Sequence, residues 1–468
     1  VTTVAAVTFV GAAANVRLRP LDGVEGDLLF EASRIRAGLA LYTDPVVGAT
    51  DYGAIPARYY VLYPPLWAGF LSLWPAGWAT IVARVVSAAA WWGSLGWLAA
   101  TAKGACRAPA WLASLFVGGV YALAEFGGSG RPDAVAVAIA CVALQRSLRR
   151  GEVDALGGAL FAVAAWIKPN VLGMGAGAFL SSAWASPRAT LRGLAGASAV
   201  TLLVAGVLHR ASSGAWLFHL VAGTGQPLRA RLLVHHLEAR AQFFLAFLAL
   251  AAAFAWPPSR REPGARAALS ALLASVAWSF FTFAKTGSAA NYWMEPCVAA
   301  VVVFARIPPP ALSRRALFGL ALAVPFQATW TGVGSVRATL QSLEENRAHG
   351  RLIERARALC GAAPDRLVVG DEPGIDVMLD GRLVADAFPL THRALGGLFP
   401  LAPWIDDLSR PDVACVVTAH DRIERPSTEI DVDYDRFAPP VRAALFARFA
   451  PVAESHGWEV YAPRHPPR

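Results

Sequence analysis

The chain has 468 residues, 56% hydrophobic and 16% charged, with a mean hydropathy of +0.44 and a net charge of +9. Soluble domains carry about 25% charged and 45–50% apolar residues, so this balance excludes an ordinary soluble enzyme and points to a membrane protein. The positive charge sits in short arginine-bearing turns, and no basic run is dense enough for a nucleic-acid tail, so no nucleic-acid partner is expected.

Taken in order, the apolar runs are residues 1–16, 78–101, 109–126, 132–148, 155–167, 170–184, 189–208, 237–256, 267–284, 292–304 and 316–331. A span needs roughly 20 residues, and this hydropathy pattern predicts about 11 of them. Residues 1–16 hold no basic residue of a signal-peptide n-region and are read as the first span. The alternate connections sort cleanly by charge. One set holds Lys103 and Arg107, then Arg146, Arg149 and Arg150, then Arg188 and Arg192, then Arg260, Arg261 and Arg266, then Arg306, Arg314 and Arg315. These short basic turns should be cytoplasmic, together with the N-terminus. The other set should face outward: the EGD loop near residue 25, GSGRPD, IKPN, residues 209–236, and KTGSAANY. The sorting requires residues 63–75, which open on two prolines, to be an interfacial or re-entrant segment and not a span.

Beyond Thr331 the character changes. Residues 336–359 read as a charged amphipathic helix. Strand-like runs follow at 366–369, 382–385, 413–418 and 458–461, with a helix at 440–449. The expected fold is an all-α polytopic membrane bundle over residues 1–335, with an acidic external loop at 17–77, and a small C-terminal α/β domain over 336–468. Eleven spans from a cytoplasmic N-terminus place that domain outside the inner (plasma) membrane, a periplasmic or equivalent extracytoplasmic position. Of the five cysteines, Cys106, Cys141 and Cys297 lie in or beside spans as packing residues, whereas Cys360 and Cys415 share the polar tail and could pair there.

The unusual polar residues collect on the outward connections: Glu25, Asp27, Arg131, Asp133, Lys168, Arg210, Arg229, Arg231, Lys285, Asn291, Tyr292 and Glu295. Ionisable groups near membrane depth are costly and tend to line a cavity or pathway. A partly desolvated carboxylate such as Asp27 can take a proton from a hydroxyl or hold a divalent cation. It can equally cap the helix that LLFEASRIRAG predicts, and both readings stand. Lys168 and Lys285 can each snorkel at the interface or meet a phosphate, and Gly287 and Ser288 beside Lys285 would let backbone amides approach one. Arg131 and Asp133 can simply pair with each other. GDEPG at 370–374 reads as a strand-end turn. No CxxC or zinc-like histidine spacing occurs, and no P-loop or GxGxxG stands in a nucleotide-binding context.

The succession of EGD, GLALYTDP, YPPL, GRPD, KP and GSAANYWMEP resembles the GT-C superfamily of integral-membrane glycosyltransferases. It resembles in particular the protein O-mannosyltransferase and aminoarabinose-transferase groups. The resemblance spans nearly the whole chain. It implies a hexosyl- or pentosyltransferase that takes a sugar from a polyprenyl-phosphate donor to a hydroxyl acceptor on a glycan, lipid or protein. Asp27 would be the catalytic base, with Glu25 the second choice, because this chain has EGD where the family has adjacent acids. Asp133 and Glu295 would be the second acid or acceptor contacts. Lys168, Lys285, Arg131 and Arg210 would meet the donor phosphate, and Tyr59, Tyr63, Asn291 and Tyr292 the sugar or lipid. Asp27 and Asp133 are also the candidate ligands of a divalent cation, Mg or Mn. The rival readings are a transporter or flippase of lipid-linked saccharides, and a non-catalytic membrane scaffold.

Overall fold

The computed structural model describes residues 2–51, 55–225, 227–238, 242–308, 314–360, 367–419, 423 and 435–464. It is mainly helical, with one small sheet. The chain folds as two compact units. One contains Val1–Val16, Ala83–Val207 and Pro227–Gln341; the other contains Arg17–Val82, Leu208–Gln226 and Ser342–Arg468.

The first unit is a helical bundle. Its tightest helix pair is Gly173–Ala185 against Pro263–Phe283. Gly173 and Gly177 lie one turn apart on the contact face. A Cβ at either would fall within 2.3 Å of the backbone of Ser270 or Ser275, so only glycine permits this approach. Helices that pack backbone to backbone in this way gain dispersion contacts that lipid cannot offer. Elsewhere the apolar surface faces outward: Leu202 and Leu203 in helix Pro187–Ser212 are 73% and 67% exposed, as expected of a lipid-facing stripe.

Among the described residues three helices are long and apolar enough to cross a membrane: Ala76–Thr101, Pro187–Ser212 and Pro263–Phe283. The run expected as a span at 109–126 is two helical pieces, Gly104–Gly119 and Tyr121–Gly127, bent by 78°, which make a fourth span if counted together. The break is Val120, whose extended backbone interrupts the hydrogen-bond ladder. Several of the other expected spans are short; Ala155–Ile167 and Gly173–Ala185 have 13 residues each, below the length a straight span needs. The stretches 316–331 and 336–359 belong to one helix, Arg314–Cys360. Gly332 and Gly334 lie between them, but no proline does, and a helix tolerates each glycine at roughly 1 kcal/mol.

In the second unit a four-stranded sheet runs β1 (Leu367–Gly370), β2 (Val413–Thr418), β3 (Phe449–Ser455) and β4 (Trp458–Pro463), in spatial order β1-β2-β4-β3. β1 and β2 are parallel, and β4 lies antiparallel to both β2 and β3. β3 had no counterpart among the expected strands. Conversely, residues 382–385 are not a strand: Ala385 makes a single parallel bridge to Arg58, held by Arg58 N–H to Val384 O and Asp386 N–H to Arg58 O. That bridge draws the early segment into the C-terminal core. Ile55 and Tyr60 are buried with Val369, Val416, Trp404 and Phe437 in one hydrophobic cluster. Cys360 and Cys415 form a disulfide with Cα atoms 5.6 Å apart, tying the end of the long helix to β2.

Candidate functional site

Three of the sequence motifs converge in the first unit. GRPD supplies Asp133 at the first position of helix Asp133–Arg150; KP supplies Lys168, which ends helix Ala155–Ile167; NYW supplies Asn291 from a short 3-10 turn. Lys168 Nζ lies 3.3 Å from Asp133 Oδ1, and Asn291 Nδ2 donates to the same oxygen at 2.7 Å. All three side chains are buried. Arg131 is close enough to act electrostatically on both Asp133 and Lys168, and Tyr292 acts on Lys168. The Arg131 guanidinium also stands over the Phe126 ring at 5.0 Å. Among the described residues, the buried Asp133 Oδ2 and Asn291 Oδ1 have no hydrogen-bond partner. The expected surface pair of Arg131 and Asp133 is thus a buried cluster in which Lys168 is the ion-pair partner.

Other expected contacts are committed elsewhere. Glu295 Oε1 accepts the Met174 N–H at 2.6 Å, so this buried acid caps helix Gly173–Ala185. Lys285 is half-buried, with its backbone bridged to Leu228. The Ser288 amide already donates to Lys285 O, which removes it from the phosphate cradle expected beside Lys285. Arg210 is exposed near the end of helix Pro187–Ser212.

The second unit holds the EGD acids on helix Gly23–Arg36. The cap of this helix is Asp22, not Asp27. Asp22 accepts the Glu25 N–H at 2.8 Å, and the Glu25 carboxylate reaches back to the Asp22 N–H at 3.3 Å, a reciprocal capping box. Glu25 is thereby tied to the helix start. Asp27, 6% exposed, makes no hydrogen bond among the described residues. One turn further on, Glu31 is 2% exposed, and its Oε2 lacks a hydrogen-bond partner among the described residues. Burial, and then repulsion from Asp386, Glu31, Glu372 and Asp22, pushes the Asp27 carboxyl well above the usual carboxylate range. Glu31 is pushed up by burial and Asp386, and Asp386 by burial and Glu372, with Arg436 opposing. Arg436 pairs with Glu372 at 2.8 Å.

Gly26, the residue between the two acids, has its own reason. A Cβ there would fall 2.2 Å from the Gly374 amide, so helix Gly23–Arg36 packs directly on the GDEPG turn. That turn does more than end a strand: it brings Glu372 to the acids. Glu31, Glu372 and Asp386 were missed in the sequence. Glu31 carried a signal, standing four residues from Asp27 on a predicted helix; Asp386 carried none, because nothing local says which loop will meet that helix.

The expected tyrosine contacts divide. Tyr59 is buried with its hydroxyl donated to Leu41 O at 2.8 Å, and burial pushes its phenol up to about 12, so it serves the core. Tyr63 is half-buried. Among the described residues no three His, Cys, Asp or Glu side chains gather as a metal site, so neither Asp27 nor Asp133 has a full ligand set for a divalent cation.

Comparison with solved structures finds a similar fold. The crystal structure of ArnT from Cupriavidus metallidurans bound to undecaprenyl phosphate matches 98% of this chain over 97% of its own, with a TM-score of 0.57 and 15% identity. The apo state of the same protein matches with the same coverage and identity and a TM-score of 0.55. At that identity the likeness is one of fold. The sequence matches no protein-family model and no curated protein.

Proposed function

We propose that this chain is a membrane glycosyltransferase that moves a sugar from a polyprenyl-phosphate donor to a hydroxyl acceptor at the extracytoplasmic face of the inner membrane. Asp27 is the base. The observation that carries this reading is the state of its carboxylate: buried, without a hydrogen bond, and surrounded by other acids, while Glu25 is held in a capping box. A carboxylate whose pKa is raised is, once ionised, a stronger proton acceptor than a solvated one.

In the proposed step Asp27 takes the acceptor hydroxyl proton as the acceptor oxygen attacks C1 of the sugar. The bond from C1 to the phosphate oxygen breaks, configuration at C1 inverts, and polyprenyl phosphate leaves with the electron pair. Lys168 and Arg131 are the proposed phosphate contacts, because charge develops on the leaving oxygen and fixed cations stabilise it. Asn291 and Tyr292 are proposed sugar contacts.

The test is transfer from a polyprenyl-phosphate sugar by purified Asp27→Asn protein, with Glu25→Gln alongside. Loss of transfer in the first, with near-normal transfer in the second once folding is matched, supports the assignment. Full activity of Asp27→Asn removes Asp27 as base.

A further inference from the structure

Every other buried arginine for which a partner is defined in the second unit faces an acid. Arg34 forks onto Asp51 at 2.9 and 3.0 Å, Arg58 meets Asp407 at 2.6 Å, and Arg442 meets Asp435 at 3.0 Å. Arg393, on helix Ala387–Leu395, is different. It is 7% exposed, yet among the described residues its buried Nε and Nη2 have no hydrogen-bond partner and no acid acts on it. Among the described residues the titratable group that acts on it is the Tyr60 phenol. Tyr60 is buried by its ring in the hydrophobic core, and its hydroxyl makes no hydrogen bond among the described residues.

A buried guanidinium with idle donors is a costly arrangement unless something anionic completes it. Its flat fork of N–H groups matches the two oxygens of a carboxylate or phosphate. Space beside the fork is kept by Gly225. A Cβ at that position would stand 3.3 Å from Nη2 and 3.7 Å from Nη1, so any larger side chain would crowd the donors. The Tyr60 hydroxyl adds a neutral donor.

We infer that Arg393 and Tyr60, beside Gly225, form a subsite for an oxyanion, a phosphate or carboxylate group carried by a substrate. The residues proposed above for the donor phosphate, Lys168 and Arg131, belong to the first unit. The subsite reads the anion as a fixed charge and takes no part in proton transfer. Its existence does not depend on Asp27 being a base, because binding can be measured without turnover.

The experiment uses the full-length protein in detergent. Thermal unfolding is followed while chloride is replaced by inorganic phosphate or, separately, by acetate at constant ionic strength. The expected result is a rise in melting temperature with at least one of the two anions. Arg393→Gln should weaken the apparent affinity at least tenfold, whereas Arg261→Gln, at an exposed arginine, should keep it. Phosphate alone acting would assign the group as a phosphate, and acetate acting as well would admit carboxylates. If Arg393→Gln does not fold, Tyr60→Phe replaces it and should weaken the response several-fold. An unchanged response in the variant, or no response of the unaltered protein to either anion, overturns the inference.

Discussion

The acids of the two units live in opposite electrostatic worlds. In the first unit Asp133 is buried but answered: Lys168 at 3.3 Å and Asn291 at 2.7 Å share one of its oxygens. In the second unit Asp27 and Glu31 are equally buried and face acids instead, chiefly Asp386. A protein that wanted only stability would avoid the second arrangement, because each uncompensated buried carboxylate disfavours folding once it ionises. On the proposed reading, the contrast separates a cluster that holds charge from one that holds or moves a proton.

The largest test of that contrast is the loss of each central acid. Asp27→Asn removes a proton acceptor while relieving repulsion, so transfer should fall by about 10²–10⁴-fold, the usual worth of general-base catalysis, while the melting temperature holds or rises. Asp133→Asn should do the reverse to stability. Activity assays and thermal unfolding on the same preparations read both. If Asp27→Asn destabilises as much as Asp133→Asn, the contrast is lost.

The second test breaks the pair in the first unit. Lys168→Met leaves Asp133 buried and unanswered and should cost about 3–5 kcal/mol, the penalty for removing one partner of a buried ion pair. Adding Asp133→Asn to Lys168→Met should restore much of that loss. A double variant no better than Lys168→Met alone would mean that the two side chains do not stabilise each other.

A smaller effect is expected from the covalent tie in the second unit. Cys360 and Cys415 are 55 residues apart in sequence, so their disulfide restricts a long loop of the unfolded chain. Cys360→Ala with Cys415→Ala should lower stability by about 2–4 kcal/mol, seen as earlier unfolding in the absence of reductant. The unaltered protein should fall to the same value when reduced.

Much of this was legible in the sequence, and the limits have physical causes. The composition and arginine turns gave a polytopic chain, and β2 at Val413–Thr418 fell where the apolar run placed it. The convergence of GRPD, KP and NYW was legible only as a resemblance, yet the three do meet at Asp133. The cap was misplaced because Asp22 and Asp27 both precede apolar helix residues; the Glu25 partner three residues after Asp22 was the signal that would have decided it. Span length was misjudged where hydropathy continues through a break, as at Val120. The membership of residues 17–82 in the C-terminal core could not be read, because the bridge from Arg58 to Ala385 joins positions more than 300 residues apart.

The finest test tunes the acids without removing the base. Asp27 is raised first by burial and second by Asp386, so Asp386→Asn should lower its pKa but leave it above the usual carboxylate range. Transfer requires the ionised form, so the rate rises with pH through the pKa of the pair, and in Asp386→Asn that acidic limb should move to lower pH. Stability must move consistently. Because these carboxyls ionise more readily unfolded than folded, the protonated cluster favours folding fully at pH values below the unfolded pKa. That benefit drains away as pH rises from the ordinary carboxylate range through the folded pKa. Asp386→Asn should flatten this decline. A limb that moves the other way, or a decline left unchanged, would show that Asp386 does not face Asp27 as a charge. The proposed base would then owe its high pKa to burial and to the remaining acids, Glu31, Glu372 and Asp22.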